Sequence, residues 1–232
     1  MKQNFTQNLT PLEAVRLQQE IRHKVKVVPL EKEIKTVAGA DVSMNLYESD
    51  AYAGIVVFSY PELELLEESF TKEQTNFPYI PGLLSFREIP SLLTCYKNLK
   101  RKPDLIIVDG QGIAHPRRLG IASHFGVLTE TPTIGCAKSV LYGVYDSVES
   151  GLSETGSFQE IKDPSTGEVI GVAMHSKKRS NPLIVSPGHL VSLEQAIEVV
   201  RLCLRGYRLP EPTRQAHEAV NRFRRQSQAT HY

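Results

Sequence analysis

The feature that most constrains the fold is the run Leu105–Val108, which leads directly into Asp109. Four consecutive apolar residues, without the alternation of a half-exposed strand, are typical of a strand covered on both faces. Strands of this kind lie in sheets that carry helices on both sides, and ligands bind at their carboxyl ends. The glycine-containing segment 110–112 would let a ligand approach the main chain. We therefore predict a buried central strand that ends on a ligand-binding carboxylate.

The order of the remaining elements predicts a mixed α/β sheet with helices on both faces. A helix is expected from Pro11, because Thr10 and Glu13 have the spacing of a capping box. Apolar patterns predict strands over 34–44, 53–60, 63–70, 105–109, 133–137 and 182–185, with a β excursion near the surface within 145–176. Further helices are predicted over 90–99, 116–128, 192–205 and 213–225, the third starting with a second capping box and ending at Gly206.

Length and composition favour one compact domain, since the chain has 232 residues of which 41% are hydrophobic. Three well-separated cysteines lack metal-binding spacing and are expected as small buried side chains in a reducing compartment. There is no apolar segment typical of a secretory signal or a membrane span. We expect a cytoplasmic monomer that does not engage membranes, with residues 1–9 and 226–232 as flexible tails.

Basic residues are clustered although the net charge is only +1. Seven arginines lie between residues 201 and 232, and segments 117–118 and 177–179 add two further clusters. Clusters of this kind can track the phosphate backbone of a nucleic acid. On charge alone, however, a solvated helix face is the better explanation. Charge therefore leaves nucleic acid binding as one of two interpretations.

Several polar residues are candidates for a site around Asp109. Asp41 lies near the end of the strand expected to pair with 105–109, so both carboxylates could bind one Mg²⁺ or Mn²⁺ ion. Glu88, expected just before a helix, could be a third ligand, and Lys138 could reach a phosphate. Singly, each residue is explained as well by a turn, a helix terminus or ordinary exposure. Together they favour a metal site, because a carboxylate at a buried sheet edge needs a compensating cation.

A second candidate feature is Tyr79, which lies in a segment stiffened by Pro78 and Pro81. An aromatic ring held on a stiff loop can insert into a base stack. An aromatic turn packed on the core explains the segment equally well. Local pattern alone does not decide between these two interpretations.

Taken together, these motifs resemble the endonuclease V family, deoxyinosine-directed nucleases of the ribonuclease H-like superfamily. The resemblance covers about residues 10–225, and several long motifs occur in the order typical of the family. It implies a ribonuclease H-like mixed sheet with helices on both faces. The segments that carry it are Ala38–Ser43, Pro78–Glu88, Val108–Gly120, Gly135–Ser139 and Leu209–Arg214.

The resemblance also implies a role for each catalytic candidate. Asp41 and Asp109 would be the principal Mg²⁺ ligands, with Glu88 completing the acidic cluster and Mn²⁺ able to substitute. Lys138 would contact the phosphate near the scissile bond. His217 matches a position where family members carry either Asp or His, which leaves open whether a second metal ion is held.

For the substrate, the resemblance implies a wedge and a base pocket. Tyr79, within the segment Pro78-Tyr79-Ile80-Pro81, would separate the lesion strand from its partner. Arg117 and Arg118 would hold flanking phosphates, with charges on a helix surface as the alternative. The extruded base would lie against Gly82, Leu83, Leu84, Gly110, Gly112 and Ile121.

The implied reaction is hydrolysis of the second phosphodiester bond 3′ to deoxyinosine, leaving 3′-hydroxyl and 5′-phosphate ends. Two alternatives stay open. The same fold could act on inosine-containing RNA, because that choice depends on room for a 2′-hydroxyl. A metal-free module could instead bind a nucleic acid or nucleotide without cleaving it. A phosphoesterase for small nucleotides would give no reason for the Tyr79 wedge.

Overall fold

Within residues 9–45, 48–146 and 154–229, which the computed structural model describes, the chain folds around a mixed sheet of eight strands. The strands are β1 Thr36–Met44, β2 Asp50–Ser59, β3 Leu65–Gln74, β4 Leu105–Asp109, β5 Thr133–Ala137, β6 Phe158–Lys162, β7 Val169–Met174 and β8 Leu183–His189. The helices are α1 Pro11–Ile21, α2 Ser85–Asn98, α3 Ile121–Thr129, α4 Leu193–Leu202 and α5 Glu211–Ala229, with one 3₁₀ turn at Arg22–Lys24.

Three parallel strands form the centre of the sheet. The strand order is β3-β2-β1-β4-β5-β8-β7-β6, in which β1, β4 and β5 run parallel and every other pair is antiparallel. The predicted meander of the first three strands is confirmed. The register places Ala40 opposite Val108 and Asp109 opposite Cys136. The carboxyl ends of three adjacent strands therefore meet at one edge.

The central strand β4 is covered on both faces, as its apolar run predicts. Leu105 and Ile107 pack in a core with residues of α4 and α5, whereas Ile106 and Val108 pack with residues of α2 and α3. All four side chains are at most 1% exposed. The three cysteines are buried and free, as expected. No helix in the described part of the chain is long and apolar enough to cross a membrane.

Two predicted helix starts are wrong. Helix α2 begins at Ser85, so Pro90 lies inside it and Glu88 belongs to its first turn rather than preceding it. Proline is a common helix-start residue, and here that local signal was misleading. Helix α3 begins at Ile121, because the preceding residues form a turn in which Arg118 has a φ of 55°, outside the helical region.

Two predicted helix ends are also wrong. Helix α4 ends at Leu202, before Gly206. Helix α5 continues to Ala229, so residues 226–229 are helical rather than part of a tail, while 1–8 and 230–232 lie outside the described residues.

The capping box predicted for α4 forms only in part. Ser192 accepts a hydrogen bond from the Gln195 N–H, as expected. The Gln195 side chain, however, bonds the main-chain N–H and carbonyl of Leu30, at 2.7 and 2.9 Å. A long-range partner has therefore replaced the local one.

Strand β8 is longer than predicted because Pro187 and Gly188 continue it. The pairing of β5 with β8 shifts register at this point, and Pro187 is accommodated at the irregularity. In the predicted excursion 145–176, the two strands β6 and β7 form, and residues 147–153 lie outside the described part of the chain. Strand β7 is largely buried instead of lying near the surface.

Helix α5 packs directly against β1 at Gly39. A Cβ atom built on Gly39 would lie 1.9 Å from the carbonyl oxygen of Pro212 and 2.6 Å from the Thr213 nitrogen. Both atoms belong to the backbone, so no side-chain rotation could relieve the overlap. Close approach at Gly39 therefore sets the distance between α5 and the sheet.

We predict that Gly39→Ala lowers the free energy of unfolding by roughly 3 kcal/mol, because the added methyl group overpacks a backbone contact. Urea denaturation measures this loss. Gly167→Ala is the control: Gly167 has a φ of 74°, and a Cβ atom added there would meet nothing within 4 Å beyond its chain neighbours. Its replacement should cost only ~1 kcal/mol from the left-handed backbone. Equal losses in the two variants would contradict the close-packing account.

Candidate active site

The ends of β1 and β4 place two carboxylates side by side. Ala40 pairs with Val108, so the next residues, Asp41 and Asp109, are neighbours across the parallel pair. Both side chains lie on the sheet face covered by α5, and their exposed fractions are only 8% and 10%. The predicted adjacency of these two residues is therefore present in the structure.

Two basic side chains contact these carboxylates. Nδ1 of His217, on α5, lies 2.8 Å from Oδ2 of Asp41. Nζ of Lys138, which directly follows β5, lies 2.5 Å from Oδ2 of Asp109. Asp41, Asp109 and His217 each offer a ligand atom, and these atoms all lie within 4.8 Å of one another. Carboxylate oxygens on a rigid sheet edge are a donor set that suits a hard divalent cation.

Burial and then charge repulsion raise the pKa values of two acids at this edge. Burial and the neighbouring charge of Asp41 raise the pKa of Asp109 above its ordinary value. The pKa of Glu88 is raised to about 8 by burial and then by the charges of Asp41 and Asp109. The hydrogen bond to Asp41 raises the pKa of His217. Three mutually repelling carboxyl groups create a site where a bound cation would be strongly favoured.

A cavity of about 280 Å³ opens beside Asp109 and Glu88. Four of the residues predicted for a base pocket line it: Gly82, Leu84, Gly110 and Ile121. Tyr79, Pro81, Glu88 and Asp109, which were predicted for other roles, also line it. The remaining lining residues were not predicted for the pocket: Ser85, Gln111, His115, Leu119, Gly120, Ala137, Ser139, Val140 and Leu141.

Two residues predicted for that pocket do not line the cavity. The Leu83 side chain is 2% exposed and packs with Phe77 and Phe86 in a small core. Gly112 lies against β8, where an added Cβ would be 2.1 Å from the carbonyl oxygen of Pro187. Both residues therefore lie outside the cavity lining.

Tyr79 stands at the rim of this cavity with 55% of its surface exposed. Its neighbours Pro78 and Pro81 are also exposed, whereas Ile80 packs on the small core. Arg87, which was not predicted, holds this segment: its guanidinium donates to the carbonyl oxygens of Phe77 and Glu48, each at 2.8 Å. The ring is thus presented on a braced loop instead of packing inward.

A second brace, also not predicted, converges on the carbonyl oxygen of Gly82. Gln18 and Arg117 donate to it at 3.0 and 2.8 Å, and Nε2 of His115 lies 3.0 Å away. Burial lowers the pKa of His115 to about 4, so its ring is neutral at pH 7 and donates from Nε2. Three donors therefore fix one lip of the cavity.

The arginines at 117 and 118 lie in a turn, so neither is the helix-surface charge considered as an alternative. Arg117 contacts Gln18 and Gly82. Arg118 donates to carboxylates of Asp163 and Glu168, at 2.6 and 3.0 Å. Both guanidinium groups are engaged within the protein, which leaves their predicted phosphate contacts without support from the geometry.

We predict that Glu88→Gln stabilises the metal-free protein at pH 8. The folded-state pKa of about 8 exceeds the ordinary value of 4.5, so folded protein holds a proton that unfolded protein releases. Stability from this group is present below pH 4.5 and is lost as pH rises to 8. In EDTA, the variant should melt roughly 3–6 °C above the parent at pH 8.

The difference in melting temperature should shrink toward pH 5, where the Glu88 carboxyl is neutral in the folded protein. Differential scanning fluorimetry across this pH range measures it. The exposed Glu20→Gln variant is the control and should follow the parent. A Glu88→Gln profile parallel to the parent at every pH would contradict the assignment.

Comparison with known proteins adds independent evidence. The sequence profile of the endonuclease V family matches residues 19–218. Endonuclease V from Gloeobacter violaceus is 48% identical over 224 residues, covering 95% of this chain and 89% of the relative. Among solved structures, Streptomyces avermitilis endonuclease V is 34% identical with a TM-score of 0.86, covering 95% of this chain and 96% of its own.

One further structure contains a nucleic acid. Ciona intestinalis endonuclease V, in complex with a 24mer DNA containing an inosine followed by a ribo-adenosine, is 31% identical with a TM-score of 0.82. The match covers 93% of this chain and 98% of that one. These likenesses confirm the ribonuclease H-like fold predicted from the sequence. The chain belongs to the endonuclease V family, whose members hydrolyse phosphodiester bonds.

Proposed function

We propose that this protein is a Mg²⁺-dependent endonuclease that cleaves DNA at the second phosphodiester bond 3′ to deoxyinosine. The observation that carries the proposal is the pair Asp41 and Asp109, held beside a cavity whose rim bears Tyr79. The Ciona intestinalis relative was solved with inosine-containing DNA, which supports the same substrate class here. The expected products carry 3′-hydroxyl and 5′-phosphate ends.

Asp41 and Asp109 would hold the metal ion, with Glu88 completing the acidic cluster. When bound there, Mg²⁺ lowers the pKa of a water molecule and neutralises charge on the phosphate oxygens. Mn²⁺ has the same preference for oxygen ligands and is expected to substitute. The donor set of this chain fits such an ion, because its two carboxylates are adjacent, rigidly held and mutually repelling.

The protein side chains supply position and charge. The buried strand before Asp109 prevents the carboxylate from shifting, as metal geometry requires. Lys138 is 45% exposed on the open side of Asp109, so its ammonium group is available to donate to an entering phosphate oxygen. In these roles, Asp109 and Lys138 would hold the scissile phosphate at the sheet edge, next to the cavity.

The cavity would receive the extruded base. Its walls combine apolar side chains such as Leu84 and Ile121 with main chain at Gly110 and Gly120, which suits a flat ring with polar edges. Tyr79 would fill the gap that the base leaves in the stack. Unstacking requires a few kcal/mol, and a mispaired hypoxanthine opposes it less than a normal pair does.

Inosine-containing RNA is the second candidate substrate. The observation in its favour is the ribo-adenosine that follows the inosine in the DNA bound to the Ciona intestinalis relative. Acceptance of a ribose there requires room for one 2′-hydroxyl. A parallel assay on DNA, on RNA and on DNA with one ribonucleotide after the inosine separates the two candidates.

We predict that Asp109→Asn reduces cleavage by roughly 1,000-fold or more, because charge stabilisation worth several kcal/mol is lost with the metal ligand. The assay uses an end-labelled duplex with one inosine, in Mg²⁺ or in EDTA. The variant should remain folded, since asparagine has nearly the same shape. A folded variant that keeps the parent rate would refute the site.

We predict that Tyr79→Ala lowers the preference for inosine-containing over undamaged duplex about tenfold, since stacking on an aromatic ring contributes ~1–3 kcal/mol per base. Single-turnover rates on both duplexes measure the preference. Tyr207→Ala removes another half-exposed tyrosine and serves as the control. If Tyr79→Ala kept the parent preference for the inosine-containing duplex, Tyr79 would not act as the wedge.

A further inference from the structure

Three residues on one face of β1 meet α5 at regular intervals. Gly39 touches the start of the helix, Asp41 bonds His217, and Ser43 bonds Asn221. Two residues of a strand span roughly 6.6 Å along its axis, and four residues of a helix span roughly 6 Å. Every second residue of β1 can therefore contact every fourth residue of α5. The active-site contact is thus the middle of a continuous zipper.

The Asn221 side chain links the last two contacts of this zipper. Its Oδ1 accepts a hydrogen bond from the Ser43 hydroxyl at 2.9 Å. Its Nδ2 donates to the main-chain carbonyl of His217 at 2.9 Å and lies 3.2 Å from Nε2 of the His217 ring. A carbonyl oxygen only accepts, so the nitrogen of the amide must face His217 and the oxygen must face Ser43.

This orientation of Asn221 and the carboxylate of Asp41 together determine which ring nitrogen of His217 carries the hydrogen. Because Nδ2 of Asn221 is a donor, Nε2 must act as the acceptor. The hydrogen of the neutral ring then lies on Nδ1, which faces Oδ2 of Asp41 at 2.8 Å. Asp41 alone would also suit a ring protonated at both nitrogens. The Asn221 amide selects against a hydrogen on Nε2.

We propose that Asn221 is a positioning residue that fixes the orientation and tautomer of His217, and through that ring the carboxylate of Asp41. Ser43 anchors the amide from the strand. Neither residue touches the substrate in this account. The consequence for metal binding rests on the proposed role of Asp41, whereas the hydrogen position in His217 does not.

The exposure of these residues indicates that their hydrogen bonds orient the His217 ring more than they stabilise the fold. The His217 side chain is 43% exposed, and both Ser43 and Asn221 are only partly buried. Partly exposed hydrogen bonds contribute little net free energy, since water can replace them. Water could not, however, hold Nδ1 of His217 in the one direction that faces Asp41. Groups of this kind, behind a ligand, commonly orient it.

The first test is nitrogen NMR of the histidine rings in the metal-free protein at pH 8. The parent should show His217 with its hydrogen on Nδ1 and a bare Nε2. Asn221→Ala should weaken this preference, because Asp41 still favours a hydrogen on Nδ1 but no donor then keeps Nε2 bare. Asn221→Asp replaces the donor by an acceptor, so Nε2 should gain a hydrogen while Nδ1 keeps the one that faces Asp41, which is a change in a defined direction. Arg222→Ala, an exposed neighbour on the same helix, should match the parent.

The second test is Mn²⁺ affinity, read from the electron paramagnetic resonance signal of the free ion. Asn221→Ala should weaken binding about tenfold, the lower end of the range for residues that orient metal ligands. Ser43→Ala should weaken it less, because the bond from Asn221 to the His217 carbonyl remains. Arg222→Ala should bind as the parent does.

A parent ring with its hydrogen on Nε2 would overturn the proposal. So would Asn221→Ala and Asn221→Asp variants whose ring signals match the parent. These readouts need no nucleic acid. An absence of inosine-directed cleavage would therefore count against the proposed function while leaving the ring assignment standing.

Discussion

The repulsion between Asp41 and Asp109 is the interaction on which the rest of the site depends. Parallel pairing of β1 with β4 brings the two carboxylates together, and burial of both strands keeps them there. His217 and Lys138 each contact one of them, and the pKa of Glu88 rises to about 8 in response to burial and to both charges. Such an arrangement favours compensating positive charge, which a divalent ion would supply in addition to Lys138.

The surrounding fold serves to hold this pair still and to place a cavity beside it. The contact of α5 with Gly39 sets the depth at which His217 reaches the sheet. On the other side, donors from Gln18, His115 and Arg117 fix the lip of the cavity at one carbonyl oxygen. Binding of a base and hydrolysis of a phosphodiester bond would then occur on neighbouring parts of one rigid surface.

Local sequence patterns predicted the centre of the fold well and its periphery less well. The apolar runs of β4 and β5 identified these strands with the observed bounds, and the strand that bears Asp41 pairs with β4 as expected. The start of α2 was wrongly predicted at Pro90, because proline often marks the first turn of a helix. The helix begins at Ser85 instead, where packing and not a local pattern sets its start. The brace on Gly82 includes Gln18, which lies 64 positions earlier in the chain, and no local pattern can reveal such a contact. His217 was identified by resemblance alone, since only the folded chain brings it to Asp41.

Asp41 and Asp109 together are proposed to bind the catalytic metal ion. Anomalous X-ray diffraction from crystals of this protein grown with Mn²⁺ tests that claim most directly. We expect a peak in contact with carboxylate oxygens of both residues, at the joined ends of β1 and β4. A peak bound elsewhere, or an ion that contacts neither carboxylate, would contradict the account of how this fold cleaves nucleic acid.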